Sequence, residues 1–217
     1  GGGYIREGDS MGDVYITKVL KRDATGAIAV AADGSLSSMD LPNGERLRIG
    51  NTNPDFTLGW RNNISWKGLN LSFLINARVG GIVTSETQAV LDQFGVSKAT
   101  ADARDRGYVE VAGGQRVDPQ KYYEVVANQQ LLGYYYYSAT NVRLQNVSLT
   151  YTLPKTLLGQ GWPGITVGFI ANNLWMIYNK APFDPEIAAS TGTYGQGSDY
   201  FSAPSLRNIG FSLKLNF

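Results

Sequence analysis

The last ten residues alternate without a break. Ile209, Phe211, Leu213, Leu215 and Phe217 fall on one side, and Asn208, Gly210, Ser212, Lys214 and Asn216 on the other. A period of two over ten residues is a β-strand with one greasy face and one wet face. An ordinary half-buried antiparallel strand reads the same way, but few such strands run to the last residue and end on an aromatic. The composition agrees with a β-protein. Gly is 26 of 217 residues, Tyr at 13 outnumbers Phe at 8 and Trp at 4, and only 17% of residues are charged, against about 25% in ordinary soluble domains.

The pattern recurs upstream. Phe56, Leu58, Trp60, Ile64 and Trp66 share one face, with Asn62 as its polar exception, while Thr57, Gly59, Arg61, Asn63 and Ser65 share the other. Lys67-Gly68 then reads as a tight turn. The returning strand sets Leu69, Leu71, Phe73, Ile75, Ala77 and Val79 on one face, and Asn70, Ser72, Asn76 and Arg78 on the other. A third strand is expected from Asn141 to Leu153. Its register changes between Val142/Leu144 and Val147/Leu149/Tyr151, which a β-bulge near Gln145-Asn146 would reconcile. A fourth is expected from Ile165 to about Trp175, the terminal strand is a fifth, and Val14 to Leu20 is a weaker sixth.

The links between strands alternate in length. Lys67-Gly68 is two residues, Gly81 to Thr140 is 60, Pro154 to Gly164 is 11 and Met176 to Leu206 is 31. Short turns at one end and long loops at the other are the habit of outer-membrane barrels. The expected fold class is therefore all-β: an antiparallel transmembrane β-barrel segment, about six strands of a larger barrel, with long external loops containing short helices. Residues 1–48 read as an extended external-loop and weak strand region, and 49–217 as the C-terminal barrel segment. Within the 60-residue loop, Glu86 to Gln93 and Lys98 to Arg106 read as helices. Asp118-Pro119 reads as an N-cap with proline at the first helical position, starting a helix through Asn128. Thr191 to Ser198 is a glycine-, serine- and threonine-rich stretch.

The chain has no Cys and no His, and its net charge is +1. Disulfides, thiol nucleophiles, Cys/His zinc sites and His-based triads are excluded. No charge excess points to nucleic acid. No catalytic constellation, metal site or cofactor motif is expected, so the chain is not read as an enzyme. Gly192, Gly195 and Gly197 have the wrong spacing for a phosphate loop. Asp184-Pro185-Glu186 has too few oxygens for calcium and reads as a structural turn. Tyr134, Tyr135, Tyr136 and Tyr137, with Tyr122 and Tyr123, are the candidate ligand or loop contacts. They read either as a stacking surface for a sugar or peptide or as rim and loop packing. Arg61, Arg78 and Lys214 fall on wet strand faces and are the candidate lumen-facing residues.

Four stretches, in order, resemble the C-terminal end of SusC/RagA-type TonB-dependent outer-membrane transporters. They are Ile49-Gly50-Asn51-Thr52-Asn53-Pro54-Asp55-Phe56, then Val142 through Pro154, then Ala171-Asn172-Asn173-Leu174-Trp175 running into Phe183-Asp184-Pro185-Glu186, and last the terminal strand. The resemblance implies an outer-membrane location and a role in importing a large nutrient, a glycan or a peptide. It implies as partners the remainder of the transporter barrel and plug, a SusD-like lipoprotein, TonB and outer-membrane lipid. It also implies that Phe217 is the terminal aromatic read during barrel assembly. Family members are several times longer and carry a plug and a TonB box. Five or six strands leave edges that lipid does not tolerate, so the chain is expected to be a fragment, a nicked or split piece, or a subunit that joins the missing part. Two rivals remain: a soluble carbohydrate-binding β-domain, and a small structural or adhesion barrel, which would need at least eight strands.

Overall fold

A computed structural model describes residue 4 and residues 6–159, 161–187 and 197–217, without the side chains of 129 and 130. Most of the stretch from Thr191 to Ser198 lies outside the described residues. The chain gathers into two compact units, each discontinuous in sequence. One, the sheet unit, joins Pro54–Gly80, Ala139–Glu186 and Ala203–Phe217; the other, the insert unit, joins Gly1–Asn53, Gly81–Ser138 and Ile187–Ser202.

The sheet unit is one antiparallel sheet of five strands. These are β1 (Phe56–Trp66), β2 (Leu69–Val79), β3 (Asn141–Thr152), β4 (Gly164–Asn179) and β5 (Asn208–Asn216), in that spatial order. Lys67 and Gly68 have φ of 46° and 85°, the left-handed pair that a two-residue hairpin turn requires. A Cβ on Gly68 would also stand 2.8 Å from the carbonyl oxygen of Thr152, so only glycine fits. The expected bulge is present: Leu144 pairs with Ile75 and Asn146 with Leu74, leaving Gln145 as the extra residue. Beyond it the register resumes, and the two halves of β3 keep their apolar residues on one face.

That face is continuous across the strands. One rung reads Ile64, Leu71, Leu149, Phe169, Phe211, and the next reads Trp66, Leu69, Tyr151, Val167, Leu213. The opposite face carries Asn63, Ser72, Ser148 and Ser65, Asn70, Thr150 on the matching rungs. Much of the apolar face is open to solvent, with Phe211 85% exposed, while Asn141 and Arg143 on β3 are buried. Among the described residues the sheet does not close, and β1 and β5 have one neighbour each. The two short connections leave from one edge; the insert-unit segments join the chain at the other, where Phe56, Val79, Asn141 and Asn179 lie.

The weak sixth strand is a correction. Val14 to Leu20 does not join this sheet. It breaks into Asp13–Ile16, paired with Leu47–Asn51, and Lys18–Leu20, paired with Ser38–Asp40, both in the insert unit. Short strands with local partners form there because Asp23 and Asp33 each fold the chain back, accepting backbone hydrogen bonds from Thr25 and Ser35.

The insert unit has an ordinary buried core. Leu20, Ile28 and Leu36 meet Val111, Val117, Val126 and Leu131. Around them lie α1 (Glu86–Gln93), α2 (Lys98–Arg106) and α3 (Pro119–Val126). Each helix starts on a side-chain cap: Ser85 accepts from Gln88 N, Ser97 from Thr100 N, and Asp118 from Lys121 N. Ile82–Ser85 pairs antiparallel with Tyr136–Ser138 and parallel with Ser198–Asp199, so the 31-residue loop returns to the 60-residue loop. No helix among the described residues is long and apolar enough to cross a membrane, which says nothing of a β-barrel.

Candidate functional site

On the polar face of the sheet unit, amides dominate the edge from which the long segments leave. Asn146 Nδ2 donates to Asn172 Oδ1 at 2.7 Å, and Asn76 donates to Gln145 Oε1. Among these amides stands Arg143 on β3. Its Nη2 lies 2.5 Å from Asp184 Oδ1, with the two side chains 9% and 10% exposed. Asp184 also accepts from the backbone N–H groups of Glu186 and Ser205, Asn141 Nδ2 donates to Glu186 Oε1, and Asn179 Nδ2 donates to the Phe183 carbonyl. Burial alone would raise the Asp184 pKa. The bonds from Ser205, Glu186 and Arg143 outweigh it and hold the carboxyl below its ordinary value.

The sequence presents Asp184-Pro185-Glu186 as a turn, and it is one. What it does not show is the cation 41 residues earlier that the turn is built around. Arg143 was missed because one arginine on a strand carries no partner label. The only signal was its place inside the motif that begins at Val142.

Arg61, Arg78 and Lys214 all fall on the polar face. They sit on three different rungs, opposite Leu74, Thr57 and Thr166 respectively, and do not converge. Phe217 is fully exposed at the end of the chain.

The tyrosines do not form one platform. Tyr135 is 3% exposed and belongs to the insert-unit core, where its hydroxyl donates to Asp92 Oδ2 at 3.0 Å. Burial, then the Asp92 charge and that hydrogen bond, push the phenol far above its usual range. Tyr122 and Tyr137 pack against the same core, and Tyr122 meets Tyr123 edge to face at 5.1 Å. Burial also raises Tyr136, whose backbone pairs with Thr84. Only Tyr134, 41% exposed, faces outward. It lines a groove of about 550 Å³ with Ile16, Val19, Leu20, Met39, Leu41 and Leu47. Asp92, which accepts from Gln88 Nε2 and Tyr135, is the buried carboxylate that sequence reading passed over. Among the described residues no three metal-ligating side chains come together.

Charge divides sharply between the units. The sheet unit carries 8 basic residues against 3 acidic ones, and the insert unit 11 basic against 15 acidic. Asp55, Asp184 and Glu186 are the sheet unit's acids. None lies in a strand, and none lies in either short connection.

The sheet defines a class: a row of long antiparallel strands, apolar on one outer face and polar on the other, with every long connection at one edge. Comparison with known proteins fits that class. No family model matches the chain. It is 26% identical over 238 residues to TonB-dependent receptor P3 of Formosa agariphila, covering 98% of this chain and 23% of the relative. It is 27% identical over 222 residues to TonB-dependent receptor P39 of the same organism, covering 99% and 21%. The chain thus spans under a quarter of the length of the curated relatives it matches. Among solved structures it is similar to the RagAB peptide importer, with TM-scores of 0.60 in the open-open state and 0.58 in the closed-closed state. That likeness is at 20% identity, over 94% of this chain and 22% of the other. The likeness to TonB-dependent receptors therefore runs along nearly the whole chain, and its fold is similar to that of the RagAB importer.

Proposed function

We propose that this chain is part of a TonB-dependent outer-membrane importer of a large nutrient, a glycan or a peptide, working with a SusD-like lipoprotein. The similarity to receptors over 98–99% of the chain carries this reading. The sheet supports it physically. A water-soluble domain would leave Phe56, Trp60, Trp66, Phe211 and Leu213 on a contiguous apolar face in water, which monomers avoid. In a barrel the same face meets lipid, and β1 and β5 pair with strands supplied by the rest of the protein. The polar face then lines the lumen, and Arg61, Arg78 and Lys214 project there. No step of bond cleavage is assigned to the chain. TonB would act through a part of the transporter outside it.

The test is uptake by cells carrying the full-length transporter. Labelled oligosaccharides and oligopeptides should enter only when both the transporter and TonB are intact, and a lipoprotein should co-purify with it. Unchanged uptake after removing the transporter would overturn the importer. Recovery of the protein, folded and monomeric, in detergent-free buffer would replace the barrel with a soluble binding domain.

A further inference from the structure

The two short connections bring an uneven set of side chains to one edge of the sheet unit. Trp66 ends β1 and Lys67 follows, its ammonium 5.2 Å from the Trp66 ring centroid. The connection from β3 to β4 carries Lys155, Leu157 and Trp162, with Leu157 72% and Trp162 66% exposed. The two connections are neighbours, since Thr152 N donates to the Gly68 carbonyl at 2.8 Å. Neither connection contains an Asp or a Glu. Asp55 abuts Gly80 at the opposite edge, and Asp184 is held there by Arg143. A turn made only for water mixes charges of both signs and avoids large exposed apolar groups. Tryptophan with lysine instead suits the boundary between lipid and water. The indole sits at headgroup level, and the lysine stem runs along apolar surface while its ammonium reaches for an anion.

We infer that this edge binds the phosphodiester headgroup of an anionic phospholipid, with Lys67 and Lys155 supplying the charge and Trp66, Leu157 and Trp162 seated among the upper acyl carbons. The inference rests on the barrel reading, under which this edge is periplasmic and the lipid belongs to the inner leaflet. The exposed leucine and tryptophans select a lipid over a free phosphate, which has nothing to offer them.

The test uses the full-length transporter in detergent, incubated with equal amounts of phosphatidylglycerol and phosphatidylethanolamine of identical acyl chains and weighed by native mass spectrometry. Phosphatidylglycerol should be retained with a preference of roughly thirtyfold from two lysines near the surface. Lys67→Gln with Lys155→Gln should bring the two lipids close to parity, while Lys98→Gln, in the insert unit, should leave the preference intact. Excess inorganic phosphate should not displace the lipid. Equal retention by the wild type, a preference that survives the double substitution, or displacement by phosphate would each overturn the headgroup site. Heat-dependent migration on a gel separates the two levels. A protein that shows it but has no lipid preference loses only this site, and a protein that lacks it loses the barrel as well.

Discussion

The two units turn their apolar residues in opposite directions. In the insert unit, Leu20, Ile28, Val126, Leu131 and Tyr135 are buried, and the surface carries an acidic excess. In the sheet unit, Trp60, Trp66, Phe211 and Leu213 lie open, and the charges that remain are mostly positive. The hydrophobic effect shapes the insert unit by removing side chains from water. The sheet unit holds together through its hydrogen-bonded ladder and leaves much of its apolar face exposed. Under the proposed barrel reading, one chain contains a part that should fold by the rules of soluble domains and a part that should need a membrane.

The largest expected effect comes from breaking the ion pair that anchors the 181–186 segment to the sheet. Arg143→Met strands Asp184 in a site nearly closed to water, and should destabilise that region by about 3–5 kcal/mol. Thermal unfolding and protease sensitivity of the segment would register it. Pairing the change with Asp184→Leu should recover most of the loss, and failure to do so would mean that Arg143 acts through something other than this carboxylate. The pH dependence has a fixed sign. Asp184 has a lowered folded pKa, so its contribution is fully present above the unfolded value. It is lost as pH falls below the ordinary 3.8 and through the folded pKa.

Next, Leu149→Arg places a cation on the apolar face and should cost about 2–4 kcal/mol if that face meets the bilayer interior. Ser148→Arg, one residue away on the polar face, should be nearly silent. Gel mobility of the assembled barrel separates them, and equal tolerance of both would erase the proposed difference between the faces. Within the insert unit, Tyr135→Phe removes a donor from buried Asp92 and should cost about 1–3 kcal/mol in thermal stability. The smallest effect is Ser97→Ala, which removes the α2 cap at a cost of about 1 kcal/mol. Hydrogen exchange should show faster opening of α2, with the sheet strands unchanged.

Much of the sheet could be read in advance because a strand shows its faces locally. The β1–β2 hairpin, the terminal strand, the bulge at Gln145 and the bounds of α1 and α2 each follow from alternation, turn chemistry or a cap within a few residues. The third helix ends at Val126, short of the expected Asn128. The stretch from Val14 to Leu20 misled because alternation over so few residues names a strand but not its partner. The candidate site was harder to read. A tyrosine run looks the same whether it forms a platform or fills a core, and Tyr135 was assigned to the core only by its meeting with Asp92.

What the sequence by itself determined is whatever depends on near neighbours along the chain: the period-two faces, the tight turn at Lys67-Gly68, the cap at Asp118, and the placing of every long connection at one edge. The tertiary structure alone decided that residues 1–53, 81–138 and 187–202 form a single unit and that Ser198–Asp199 closes a sheet with Ile82–Ser85. It also decided that Arg143 finds Asp184. Those contacts join residues tens of positions apart. Their free energy depends on burial and on the partner's geometry, and neither quantity is carried by the residues at one end of the contact.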